Sequence, residues 1–204
     1  MMRKVKSSKE KAIEIFRKQK GVLRTSEAMK HGVHSVVLYQ LRDEGQIQSL
    51  SRGVYRLVGS GQLSAPDLAI VAKRIHEGII CLTSVLAFHN ITTEIPHEVH
   101  VALGRTKRYP KLEYPPVRIF RYSGTNANEG IEHHMIDGVD VKMYSIPRTI
   151  VDCFKFRNKV GLSIAIEALK ESIRERKTTR KEILRYAELL RMKRVIMPYL
   201  EALS

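Results

Sequence analysis

Apolar residues recur with a helical period and then a strand period across residues 34–58, HSVVLYQLRDEGQIQSLSRGVYRLV. Val37, Leu38 and Leu41 fall on one arc, which predicts a short helix over residues 34–43 that buries them. The same spacing turns Ser35, Val36, Tyr39, Gln40 and Asp43 outward and puts Arg42 on the flank. Gly45 stops the helix. Residues 47–50 and 54–58 are rich in β-branched and aromatic side chains, and Ser51, Arg52 and Gly53 between them supply a turn with a cation at its tip. Upstream, Ala12, Ile13 and Phe16 share one face of a helix over residues 9–20 that Gly21 ends. Thr25 is placed to cap a second helix, with Glu27 near its positive end and Gly32 closing it. Three short helices and a basic hairpin are the outline of a winged helix-turn-helix, whose third helix enters the major groove of DNA.

Beyond residue 58 the composition changes to GSGQLSAP, a linker over residues 59–66. Pro66 opens a helix that Gly78 ends, and residues 79–90 pass through a buried strand or turn into another short helix. Residues 97–103 alternate as a half-buried strand does, and RTKRYPKLEYPP is a basic, proline-bearing loop. PVRIFRY, IEHHMI and VDVKMY read as further strands, the last two joined at Asp137-Gly138 as a hairpin. Pro147 then starts a helix with Ile150, Val151 and Phe154 inward. Leu162, Ile166, Leu169 and Ile173 form the apolar stripe of the next helix, and Thr179 with Glu182 makes a capping box for the one after it. Pro198 breaks or kinks what remains. The fold class is α+β: a winged helix-turn-helix over residues 1–58, the linker, and a small mixed α/β domain with C-terminal helices over residues 67–204.

Charge sharpens this picture. The 204 residues carry 36 Lys+Arg against 21 Asp+Glu, a net +15, which favours a polyanionic partner. The excess is uneven: residues 1–58 hold 13 basic and 5 acidic side chains, residues 59–150 hold 10 and 9, and residues 151–204 hold 13 and 7. Residues 1–8 read as a loose basic tail. Cys81 and Cys153 are too few and too far apart for a disulfide framework, and their apolar settings suit reduced core thiols, so a cytoplasmic location is expected. No segment has the length of apolar residues that a membrane span or a secretory leader requires.

The strongest candidate site is the outward face of the third helix with the hairpin tip. Ser35, Tyr39 and Gln40 offer hydrogen bonds to base edges; Arg42 can grip guanine in two-pronged fashion or hold a phosphate; Arg52 suits a backbone or minor-groove contact. The bland alternative is a winged helix used for protein contacts, with Asp43 and Glu44 diluting the potential. His97 and His100, with His133 and His134, lack metal-site spacing, because strand residues three apart face opposite ways. Asp137, Asp140 and Lys142 carry an alternative of another class, a metal-dependent nuclease, against which stands their reading as turn chemistry and the solvent side of a strand. No phosphate loop, nucleophile elbow or cysteine-based zinc pattern is present, and neither cofactor nor catalysis is expected.

Three stretches, LRDEGQIQSLSRGVYRL, IICLTSVLAFHNITTEIPHEVHVAL and SIPRTIVDCF, together resemble the AbiEi antitoxins of type IV (abortive-infection AbiE) toxin-antitoxin systems. The likeness covers roughly residues 9–175 and rests on the order of the segments more than on any one. It implies a winged-helix domain that binds operator DNA and represses its own operon, and a C-terminal domain required for antitoxicity. The resemblance further implies an opposed toxin that is a separately encoded nucleotidyltransferase-like protein, countered without a stable complex, in a role tied to phage defence. Self-association on DNA would fit an inverted-repeat operator. A third reading is a winged-helix regulator without a toxin.

Overall fold

The computed structural model describes residues 7–61 and 64–203. Most of the basic tail, and residues 62–63 of the expected linker, lie outside the described residues. The chain divides into two compact units, one running to His76 and adding Met135–Asp140, the other comprising Glu77–His134 and the residues from Val141 onward.

In the first unit, α1 (Ser8–Lys18) starts at a reciprocal cap in which the Ser7 hydroxyl accepts from Glu10 N and the Glu10 carboxylate accepts from Ser7 N at 2.8 Å. Strand β1 (Val22–Arg24) and helices α2 (Thr25–Lys30) and α3 (Ser35–Asp43) follow, then β2 (Ile47–Ser51) and β3 (Val54–Leu57). The three strands form an antiparallel sheet in the order β1-β3-β2. Ala12, Phe16, Leu38 and Leu41 are fully buried with Leu23, Ile47 and Tyr55, so the apolar arcs of α1 and α3 close on one side of the hairpin. β1 is an element the periodicity does not disclose, since three residues are too few to show alternation. It also corrects the expected cap: Thr25 is the first residue of α2, and Arg24 in extended backbone precedes the helix, its N–H donating to Glu27 at 2.8 Å. Helix α4 (Pro66–Arg74) follows, and Lys73 Nζ reaches the Glu27 carboxylate at 2.8 Å.

The second unit is a mixed five-stranded sheet with helices. Strands β4 (Ile79–Ile80), β5 (Val99–Gly104), β6 (Val117–Tyr122), β7 (Ile131–Ile136) and β8 (Val139–Tyr144) take the order β6-β5-β4-β8-β7. β5 runs antiparallel to β4 but parallel to β6, and β4 runs parallel to β8. Helix α5 (Thr83–Phe88) follows β4; α6 (Ile146–Lys155), α7 (Arg157–Val160), α8 (Leu162–Arg174), α9 (Arg180–Leu189) and α10 (Lys193–Glu201) follow β8. Ile150, Val151 and Phe154 of α6 are fully buried, as their spacing requires. The stripe expected on α8 holds at Leu169, which is fully buried, and at Ile166 and Ile173, which pack half-buried against the core; it is corrected at Leu162, which is 39% exposed, and Ile164, Ala165, Ala168 and Ser172 are buried as well. Two alanines belong to the inward face, which bulk alone does not disclose. The Thr179–Glu182 capping box of α9 is present, with Glu182 N donating to Thr179 Oγ1 at 3.2 Å. Pro198 lies within α10 rather than ending it. Among the described residues no helix is long and apolar enough to cross a membrane.

Candidate nucleic-acid interface

Helix α3 is held from beneath and bare outside. Leu38 and Leu41 have no exposure, whereas Tyr39 is 45% and Val36 60% exposed, with Gln40 beside them. Ser35, the first residue of the helix, is half-buried. Gly32 carries the chain from α2 into this helix with a φ of +81°, a conformation that favours glycine. Arg42 lies on the flank and donates from Nε and Nη2 to one Asp43 carboxylate oxygen at 2.9 and 2.8 Å, its guanidinium 5.2 Å from the centre of the Tyr39 ring. Lys9 pairs with Glu44, so the two acids at the end of α3 are both met by cations. Val36 is the residue this face adds to the hydrogen-bonding set: a branched apolar side chain in water between polar neighbours, suited to the methyl group of thymine.

The β2–β3 turn presents Arg52. Gly53 has a φ of +74°, and its carbonyl accepts from Thr25 N at 2.9 Å, which ties the turn to the start of α2. Arg74 donates to the Arg52 carbonyl, so the backbone under Arg52 is fixed while its side chain is exposed. Glu27 steadies α2 from the other side. Burial raises its pKa, but the Arg24 N–H and the Lys73 ammonium outweigh that and hold it below the usual carboxylate range. Ser35, Tyr39, Gln40 and Arg42 thus share one helix, and Arg52 stands on the turn that follows it.

The remaining candidates lie elsewhere in the chain. Both Asp137 oxygens accept hydrogen bonds at the start of α4, from Ser64 N at 2.8 and 3.0 Å and from Ala65 N at 3.1 Å, so this carboxylate sits at the positive end of that helix. Asp140 is exposed and Lys142 half-buried on β8. His97 is exposed before β5, whereas His100 is 6% exposed, with Nδ1 2.9 Å from Thr83 Oγ1 and Nε2 3.7 Å from Glu98. Burial holds the His100 pKa down to about 4, which keeps the ring neutral at pH 7. Thr83–His100–Glu98 has the order of a nucleophile relay, but Thr83 is 4% exposed, which leaves a substrate no approach. His133 is exposed, and His134 lies 3.3 Å from Glu132 with its ring edge-on to that of His89. Cys81 and Cys153 are fully buried as free thiols whose pKa values burial pushes up, the condition of unreactive core cysteines.

The largest polar feature that the spacing does not disclose is inside the second unit. Arg148, 1% exposed, donates from Nε to Asp152 at 2.8 Å and from Nη1 to the carbonyls of Asn126 and Glu129, with its guanidinium 4.5 Å from the centre of the Tyr144 ring. An opposite-charge pair four residues apart on a helix otherwise buried is the signal that was available.

Residues 10–58 match the model of a family described as transcriptional regulator, AbiEi antitoxin. The family match therefore spans α1 to β3, including α3 and the Arg52 turn. Among solved structures the chain is similar to the RV2827C protein from Mycobacterium tuberculosis, with a TM-score of 0.59 at 12% identity over 92% of this chain and 73% of that one. At that identity the likeness is one of fold. No curated protein matches the chain.

Proposed function

From the family match over residues 10–58 we propose that this chain is a DNA-binding transcriptional regulator of the AbiEi antitoxin type, whose first 58 residues are a winged helix-turn-helix acting on double-stranded operator DNA. The observation that carries the reading is the outer face of α3, where Val36, Tyr39 and Gln40 stand in water on a helix fixed by Leu38 and Leu41. On this reading α3 enters the major groove, Ser35, Tyr39 and Gln40 approach base edges, and Arg52 on the wing meets the backbone or minor groove. Arg42 exchanges Asp43 for guanine or phosphate. Exposed ion pairs are weak, so that exchange is cheap.

We place autorepression and antitoxin action with the same chain. Residues 67–204 serve the antitoxin function against a separately encoded nucleotidyltransferase-like toxin, without a stable complex between the two. Binding of the purified protein to its own upstream DNA, followed by fluorescence anisotropy against a scrambled duplex over a series of salt concentrations, tests the regulatory half. Selective binding that Arg42→Ala or Arg52→Ala weakens supports it; wild-type affinity in both variants removes α3 and the wing as the DNA surface. If Arg42 reads a base, its loss costs about 1–3 kcal/mol and relaxes specificity at one position, whereas a phosphate contact lowers affinity for every sequence. Co-expression with the toxin tests the antitoxin half, the expected result being rescue of growth by the antitoxin without co-purification.

A further inference from the structure

β5 and β6 are parallel neighbours in register from Val99 opposite Val117 to Gly104 opposite Tyr122. The chain between them must therefore return a full strand length, roughly 17 Å at about 3.3 Å per residue. It does so through residues 105–116 with no helix, although such crossovers are usually helical. β6 is an edge strand, so this return lies at the margin of the sheet. Arg121 on β6 braces it, donating from Nη1 to the carbonyls of Gly104 at 2.8 Å and Lys107 at 2.6 Å, with its guanidinium 5.8 Å from the centre of the Tyr109 ring. The loop is a supported surface rather than slack chain.

Its chemistry is one-sided. Residues 105–121 hold six basic side chains and one acidic, although residues 59–150 as a whole are nearly neutral. Arg105, Arg108 and Lys111 are exposed, and among the described residues they take no ion pair. Tyr109 and Tyr114 are 42% and 56% exposed among these cations. Beside the loop lies a cavity of about 350 Å³. Its wall includes Glu77 and Lys107, which pair with each other at 2.6 Å, Tyr122 and Tyr144, and Lys142, which is half-buried without a counter-ion among the described residues. That volume is at the lower end of small-ligand pockets, which span about 300–1,000 Å³.

We propose that this edge of the second unit binds single-stranded nucleic acid, seating one nucleotide in the cavity with its phosphate on Lys142 and stacking adjacent bases on Tyr109 and Tyr114. A duplex keeps its bases paired and closed to tyrosine faces, and an acidic peptide gives those faces nothing to stack on. Cations tracking a backbone together with exposed aromatic rings are the means by which single strands are held without sequence selection. This surface belongs to the second unit and α3 to the first, so the proposal stands whether or not α3 binds duplex DNA.

The test uses the full chain with fluorescent oligouridylate and oligothymidylate of about 12 nucleotides, by anisotropy, with polyglutamate and a duplex as competitors. The expected result is binding that loses about tenfold for each of Tyr109→Ala and Tyr114→Ala, both exposed enough to leave folding intact by circular dichroism. Lys142→Gln lowers the salt slope by about 0.7, the value for one phosphate on a single strand. No binding, wild-type binding by the double tyrosine variant, or equal displacement by polyglutamate each overturns the proposal.

Discussion

Arg148 and Asp152 are both fully inside the second unit, and neither is stable there without the other. Burial raises the Asp152 pKa while the Arg148 guanidinium opposes it, and the net position is above the ordinary carboxylate value. Arg148→Met leaves an uncompensated carboxylate in the core and is expected to cost about 3–5 kcal/mol in urea unfolding. Adding Asp152→Leu removes the stranded charge and should recover most of that loss, because a buried ion pair replaced by apolar groups is often close to neutral. His100 makes a second residue-scale prediction. Its folded pKa of about 4 lies below the unfolded value of 6.5, so on acidification the unfolded chain takes up a proton that the folded one refuses. The stability it contributes is complete above pH 6.5 and is lost as pH falls toward 4, by about 3 kcal/mol for a shift of this size. Glu98 partly offsets the shift, and Arg118 adds to it. Unfolding midpoints at pH 7, 5.5 and 4.5 should show this slope in the native chain and a flatter one in His100→Gln.

Among the elements, α8 separates what the sequence discloses from what it hides. Leu169→Ala on its buried side should cost about 2–5 kcal/mol, whereas Leu162→Ala, at a position 39% exposed, should stay below about 1 kcal/mol; thermal unfolding distinguishes them. Large residues at helical spacing nominate both, but only the packed structure, in which Ala165 and Ala168 are fully buried, tells which arc is inside. α3 was legible because its apolar arc is narrow and Gly45 marks its end. β1 was not, because its three residues acquire strand character only from pairing with β3. In the candidate site the polar members could be named from their type. Val36 could be turned outward by period alone, yet nothing in its own chemistry distinguishes an exposed apolar residue that reads DNA from one that does not. The loop over residues 105–116 was recognisable as basic, while its bracing by Arg121 depends on a parallel register that no local pattern encodes.

For the whole molecule, a net charge of +15 predicts that any nucleic-acid affinity falls steeply with salt. The informative quantity is the offset in affinity between operator and scrambled duplex at matched salt, since base contacts change affinity without changing the number of phosphates neutralised. The hairpin formed by β7 and β8 has a further consequence. Its tip, Met135–Asp140, is counted with the first unit, and Asp137 supplies the acceptors for the backbone N–H groups of Ser64 and Ala65. The first unit is therefore discontinuous in sequence, and a ribosome must deliver residue 140 before it can be finished. A fragment ending at His76 should still form α1 to β3, but with weaker amide-exchange protection in α4 than the full chain has. During synthesis, the segment that matches the regulator family emerges early, and the helix that follows it waits for a carboxylate made about sixty residues later.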